Sequence, residues 1–199
     1  IILFCFYFLV GINIYKDYGL SIDEPFQRTS GYYWYIWIVN NFFANSSILE
    51  NLQNSFSKME WSKDILGGAF LEYGVFFDLL AAIVENQLNL KNPQNIYHAK
   101  HLLNFIFFFF SSVCFFYLIK NRYKNTSLSL IGTFFYITSP RIFAQSFYNS
   151  KDIIFMCLVV FSIFFAIKVL KNYKIKNIIL FDFFAALSTG VRTMGVFLI

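Results

Sequence analysis

Two carboxylates stand side by side at Asp23 and Glu24, in the stretch SIDEPFQR, fewer than ten residues beyond an apolar run that ends at Tyr15. Such a pair can supply a general base, which must reach the proton it removes, or help bind a divalent cation. The same residues also fit a helix start, with Asp23 as N-cap and Pro25 in the first turn. A second group lies in residues 139–152, SPRIFAQSFYNSKD, where Arg141, Lys151 and Asp152 fall in a short turn between two apolar runs. Arginine offers a planar fork of donors and lysine a mobile point charge, so this turn can hold a phosphate group. The alternative has Asp152 capping the next helix while Arg141 and Lys151 touch lipid headgroups.

Arg192, in ALSTGVRTMG, sits well inside a further apolar run. At about 1.5 Å of rise per residue it falls some 20 Å along that helix, and an ionisable residue at such depth is a functional candidate unless it snorkels to the headgroups. Asp182 lies close to a lysine cluster, and pairing with Lys176 or capping accounts for it. His98 and His101 share a helical face, a spacing that reads as interfacial packing before it reads as a metal site. The three cysteines, Cys5, Cys114 and Cys157, lie in apolar runs without CxxC spacing, so neither zinc nor a disulfide framework is indicated. Glycine-rich phosphate loops and HExxH or GxSxG elements are lacking.

The elements that position these residues follow from composition. Of 199 residues, 58% are apolar, 14% are charged and 29 are Phe, so lipid must be the solvent for much of the chain. The bilayer core needs about 20 apolar helical residues to cross. Residues 1–15 read as the end of a first span whose start is missing, 102–119 as a second span, 128–138 as a short third, 153–170 as a fourth and 178–199 as a fifth that runs off the chain end. Ile1 is not preceded by Met, so the chain is expected to be a fragment of a larger protein. Residues 16–101 read as a long polar loop with interfacial helices. Its aromatic stretch 32–37 suits the headgroup level, and 65–90, interrupted by Glu72, Asp78 and Glu85, suits a helix in the outer interface.

The net charge of +5 does not point to nucleic acid, because the cations gather in short clusters between apolar runs, at 120–124 and 168–176. Short cytoplasmic connections carry the lysine and arginine excess. Alternation then puts the loop 16–101, the turn 139–152 and the far end of the fifth span together on the non-cytoplasmic face of a plasma (inner) membrane protein.

This arrangement resembles the GT-C glycosyltransferases, which include protein O-mannosyltransferases and the lipid A aminoarabinose transferase. SIDEPFQR, YHAKHLLNF and above all SPRIFAQSFYNSKD look like a bacterial branch described as glycosyltransferase family 39 or ArnT-like proteins. The resemblance implies an all-α polytopic bundle that moves a sugar from a polyprenyl-phosphate donor to a lipid, glycan or protein acceptor, with inversion and on the outer face. It implies that Asp23, with Glu24 beside it, acts on the acceptor hydroxyl and that Asp152 is the second acidic residue. Arg141, Lys151 and Arg192 are then expected to meet the leaving phosphate, while Arg28 and His101 lie in matching motifs with no role attached. The wider family admits a divalent metal ion, but these residues present no ligand set that demands one.

Two other functions fit the same charges. A transporter or flippase of lipid-linked saccharides would use the outer cations for headgroup binding, and a non-catalytic assembly subunit would use the outer loop to bind a partner.

Overall fold

The computed structural model describes residues 2–43, 47–68 and 74–198, and among these every regular element is helical. The chain divides into two compact units, one formed by residues 1–19 with 100–199 and the other by residues 20–99.

The first unit contains α1 (Ile2–Ile14), most of α6 (Pro93–Tyr123), α7 (Thr126–Thr138), α8 (Pro140–Tyr148), α9 (Asp152–Lys171), α10 (Ile175–Thr189) and a closing 3-10 helix (Thr193–Leu198). Two of these, α6 and α9, are long and apolar enough to cross a membrane. Their lengths correspond to about 46 and 30 Å of helix. Only 33% and 39% of their most apolar windows are buried within the protein. The core helix of a water-soluble domain would hide most of such a window, so the remaining apolar surface calls for lipid or for further protein. Large side chains such as Phe110, Phe135, Ile163 and Leu170 stand exposed accordingly.

Aromatic packing holds this unit together. Phe105 stacks on Phe147 with ring centres 5.2 Å apart, and Tyr18 stacks on the same ring at 4.4 Å. Phe105, Phe108 and Phe147 are fully buried. Of the Phe107 to Phe110 run, Phe108 therefore serves the core while Phe110 is 57% exposed. Gly11 lets α1 approach α6, because a Cβ at that position would fall 1.9 Å from Phe105 Cζ. Phe165 stacks on Phe184 at 5.6 Å where α9 meets α10.

The second unit contains α2 (Glu24–Phe42), α3 (Ser47–Phe56), α4 (Ser62–Leu66), α5 (Phe76–Gln87) and the first turns of α6. Tyr32, Val39, Leu52, Phe56 and Ala82 form its core, with Tyr33, Tyr35, Ile36, Leu49 and Met59 against them. The crossing of α2 over α5 depends on Gly31, where a Cβ would lie 2.2 Å from the backbone oxygen of Asp78. The aromatic stretch 32–37 is thus part of α2, with Tyr32 buried in the core and Trp37 half exposed.

Several expected boundaries move. The helix of the second span starts earlier than 102, at Pro93, because 93–101 continue it. Residues 139–152 are not a simple turn. Pro140 ends α7 by holding Ser139 extended at φ −56°, ψ 116°, and then opens α8, where its missing N–H costs nothing. The expected fifth span is interrupted: α10 stops at Thr189, its end closed by Gly190 N–H on the Ala186 carbonyl. Arg192 therefore lies in the break before the 3-10 helix, not inside a helix. Asp182 is exposed and, among the described residues, forms no ion pair with Lys176. Glu72 lies outside the described residues.

Candidate functional site

The first unit joins two of the residues singled out from sequence. The Arg192 guanidinium donates through Nη2 to Asp152 Oδ1, closing an ion pair between positions 40 apart. Asp152 is held there by its own helix start. Asn149 Oδ1 accepts from the backbone N–H groups of Asp152 (2.9 Å) and Lys151 (3.3 Å), and Asn149 Nδ2 donates to Asp152 Oδ2 at 3.1 Å. Asn149, not Asp152, thus satisfies the first N–H groups of α9, and the Asp152 carboxylate is left to face Arg192. Its place in the first helical turn also suits a negative charge.

Arg192 and Asp152 side chains are 46% and 54% exposed. An exposed pair of this kind is worth about 0 to 1 kcal/mol, because water screens it and two side chains must be ordered to form it. The pair is accordingly easy to open, and an anion with more oxygens than a carboxylate can compete for the guanidinium. Lys151 is half-buried at the N-cap of α9 and Arg141 is exposed in the first turn of α8. His101 is buried in α6 at 1% exposure, among core side chains of the first unit.

The other candidates belong to the second unit. Asp23 is the residue before α2, with φ −85° and ψ −16°, and its exposed side chain makes no cap hydrogen bond. Glu24 instead closes the turn that leads into the helix: its buried carboxylate accepts from Ser21 N–H through Oε2 at 2.7 Å. Pro25 stands in the first turn, as the helix-start reading required. The two adjacent acids thus have different work, since Glu24 holds the turn and Asp23 is presented to solvent.

Arg28 points to an acid that the sequence reading had placed only as an interruption. Its Nε donates to Glu85 Oε2 at 2.9 Å and its Nη2 to Glu85 Oε1 at 2.5 Å, while Tyr32 Oη donates to Glu85 Oε1 at 2.9 Å. Glu85 is 6% exposed and Arg28 24%. Burial is the largest influence on the Arg28 pKa and works to lower it, but the hydrogen bonds and charge of Glu85 hold it above its ordinary value. Burial pushes the Tyr32 phenol up, and the Glu85 carboxylate adds to that shift. This trio lines a cavity of about 1250 Å³ in the second unit, whose walls also carry Asn51, Asn54, Lys58 and Tyr97.

Glu85, Tyr32 and Asn149 are the residues that sequence reasoning missed. A signal existed for two of them: Arg28 and Tyr32 are four apart on one helix face, and Asp78 and Glu85 are seven apart on another, the spacing that stacks side chains. Among the described residues no three His, Cys, Asp or Glu side chains are grouped to hold a metal ion. No protein-family model, curated protein or solved structure matches this chain.

Proposed function

We propose that this chain belongs to a polytopic membrane glycosyltransferase of GT-C type, which moves a sugar from a polyprenyl-phosphate donor to an acceptor hydroxyl. The observation that carries the reading is the pairing of Arg192 with Asp152 at one end of the apolar helix α9, whose other end bears Lys168 and Lys171. These charged poles are about 30 Å apart along the helix, the thickness of a hydrocarbon core. With the lysine end in the cytosol by the positive-inside rule, the Asp152 and Arg192 pole belongs to the opposite face of the plasma membrane.

In this reading the donor phosphate takes the Arg192 guanidinium from Asp152. The phosphate offers more acceptor oxygens, and the exposed ion pair opposes the exchange by little. As the glycosidic C–O bond breaks, negative charge grows on the phosphate oxygen, and Arg192 stabilises it where it develops. Lys151 and Arg141 add positive potential on the same side of the first unit. The role of Asp23, exposed at the start of α2, comes from the family resemblance: it orients or deprotonates the acceptor hydroxyl. The hydroxyl oxygen attacks the anomeric carbon from the face opposite the leaving phosphate, so the configuration inverts. The hydroxyl proton passes to Asp23 and the phosphate departs as the polyprenyl monophosphate.

The test is product analysis. The protein, reconstituted in liposomes with a polyprenyl-phosphate sugar and membrane-envelope acceptors, is expected to yield a glycosylated product with inverted anomeric configuration. Movement of the intact donor across the bilayer without glycosidic bond cleavage would replace this reading with that of a flippase.

A further inference from the structure

A second charged site lies at the opposite end of the first unit. Lys168, Lys171, Lys174 and Lys176 line one cavity of about 660 Å³ formed where α9 ends and α10 begins, with Phe165 and Leu180 in its wall. Asn121 of α6 and Asn177 of α10 contribute amides to the same space. Among the described residues none of the four ammonium groups has a carboxylate within ion-pair distance. The Lys168 ammonium lies over the Phe164 ring, 4.2 Å from its centre, and 5.2 Å from that of Phe165, so the charge is held at the aromatic wall of the cavity. The α9 C-terminus and the α10 N-terminus meet here with opposite partial charges, so the helix dipoles offset one another and the lysines set the potential.

Four like charges gathered without counter-ions repel one another, and a bound anion removes that cost. The apolar wall adds a second requirement. A free inorganic anion would gain nothing from Phe165 and Leu180, whereas a molecule with an anionic head and a hydrocarbon tail satisfies both surfaces. The position at the end of a membrane-length helix is where such a molecule's headgroup resides. We propose that this cavity is a binding site for the phosphate headgroup of an anionic phospholipid, held by the Lys168, Lys171, Lys174 and Lys176 ammonium groups with its chain along Phe165 and Leu180. The site does not depend on the transferase reading. It requires only that α6 and α9 lie in a bilayer, and it uses none of the residues assigned to sugar transfer.

The experiment is native mass spectrometry of the detergent-solubilised protein titrated with phosphatidylglycerol, phosphatidylcholine or inorganic phosphate. Phosphatidylglycerol is expected to be retained well above phosphatidylcholine, and inorganic phosphate is expected neither to be retained nor to displace it at equal concentration. Retention should fall steeply near 1 M salt, where the screening length is about 3 Å. Lys171→Gln with Lys174→Gln and Lys176→Gln should weaken phosphatidylglycerol binding about fivefold per charge removed. The Arg triple variant keeps the charges and should restore binding, which separates a lost site from a misfolded chain. Equal retention of the two lipids, displacement by inorganic phosphate, or binding unaffected by salt and by the Gln substitutions would overturn the proposal. Loss of lipid binding with sugar transfer intact would leave the transferase reading standing, and the reverse would leave this one.

Discussion

Arg192 reaches back across 40 positions to pair with Asp152, so the break after α10 and the first turn of α9 are joined by charge at one end of the first unit. The pair is exposed, and this makes stability and function separable at the same residues.

Substituting Arg192→Gln should change stability by no more than about 1 kcal/mol, since the exposed pair contributes little. Transfer should fall on the order of 100-fold if the guanidinium meets charge that develops as the phosphate leaves. Thermal unfolding in detergent and the rate of transfer at saturating donor measure the two effects separately. Arg192→Lys keeps the charge but loses the fork, and should fall between.

The Arg28 and Glu85 pair should behave in the opposite way. Glu85→Ala leaves a mostly buried guanidinium and the Tyr32 hydroxyl without their acceptor, which costs about 3 kcal/mol, the lower end for a buried pair because Arg28 retains some access to water. A double-mutant cycle with Arg28→Ala should show strong coupling. Independent effects of the two substitutions would mean that the pair does not hold α2 to α5.

Gly31→Ala should destabilise the second unit by about 1 to 3 kcal/mol, because the new methyl group meets the Asp78 backbone, which cannot rotate away. Gly19→Ala is the control, since nothing lies within 4 Å of the Cβ it would add. Chemical denaturation of both variants checks the contrast.

Alkaline pH should act through Tyr32, whose phenol burial pushes above its ordinary value of 10.0 in the folded chain. A raised folded pKa means that the native state keeps a proton the unfolded state has lost. Tyr32 therefore contributes fully below about pH 10, and stability falls as pH rises from there towards the folded value. Tyr32→Phe should flatten this slope in denaturation series across that range.

How far the sequence revealed these features depends on whether their causes are local. Apolar length and terminal lysines define α9 almost to the residue, because lipid selects continuous hydrophobic runs and α9 carries no internal breaker. Pro140 was legible as an interruption, but its second effect, opening α8, requires knowing that 141–148 can pack an apolar face through Phe147. Residues 178–199 read as continuous because Gly190 inside an apolar run looks tolerable. The helix instead ends at Thr189, and the chain folds back so that Gly195 lies against the Thr189 amide, where a Cβ would be 2.3 Å from it. Asp23, Arg28 and Asp152 stood out by type, yet Glu85 did not, because its meaning lies in Arg28, 57 positions away. The split of labour between Asp23 and Glu24 also escaped, since it turns on a single amide, that of Ser21.

The central claim is tested most directly by sugar transfer from polyprenyl phosphate in the protein carrying Asp23→Asn or Asp152→Asn, each shown by thermal unfolding to be folded. Transfer is expected to fall by at least about 100-fold in the Asp23 variant, and by less in the Asp152 variant, where Arg192 keeps its charge and loses only the partner that positions it. Wild-type rates from both would contradict the account.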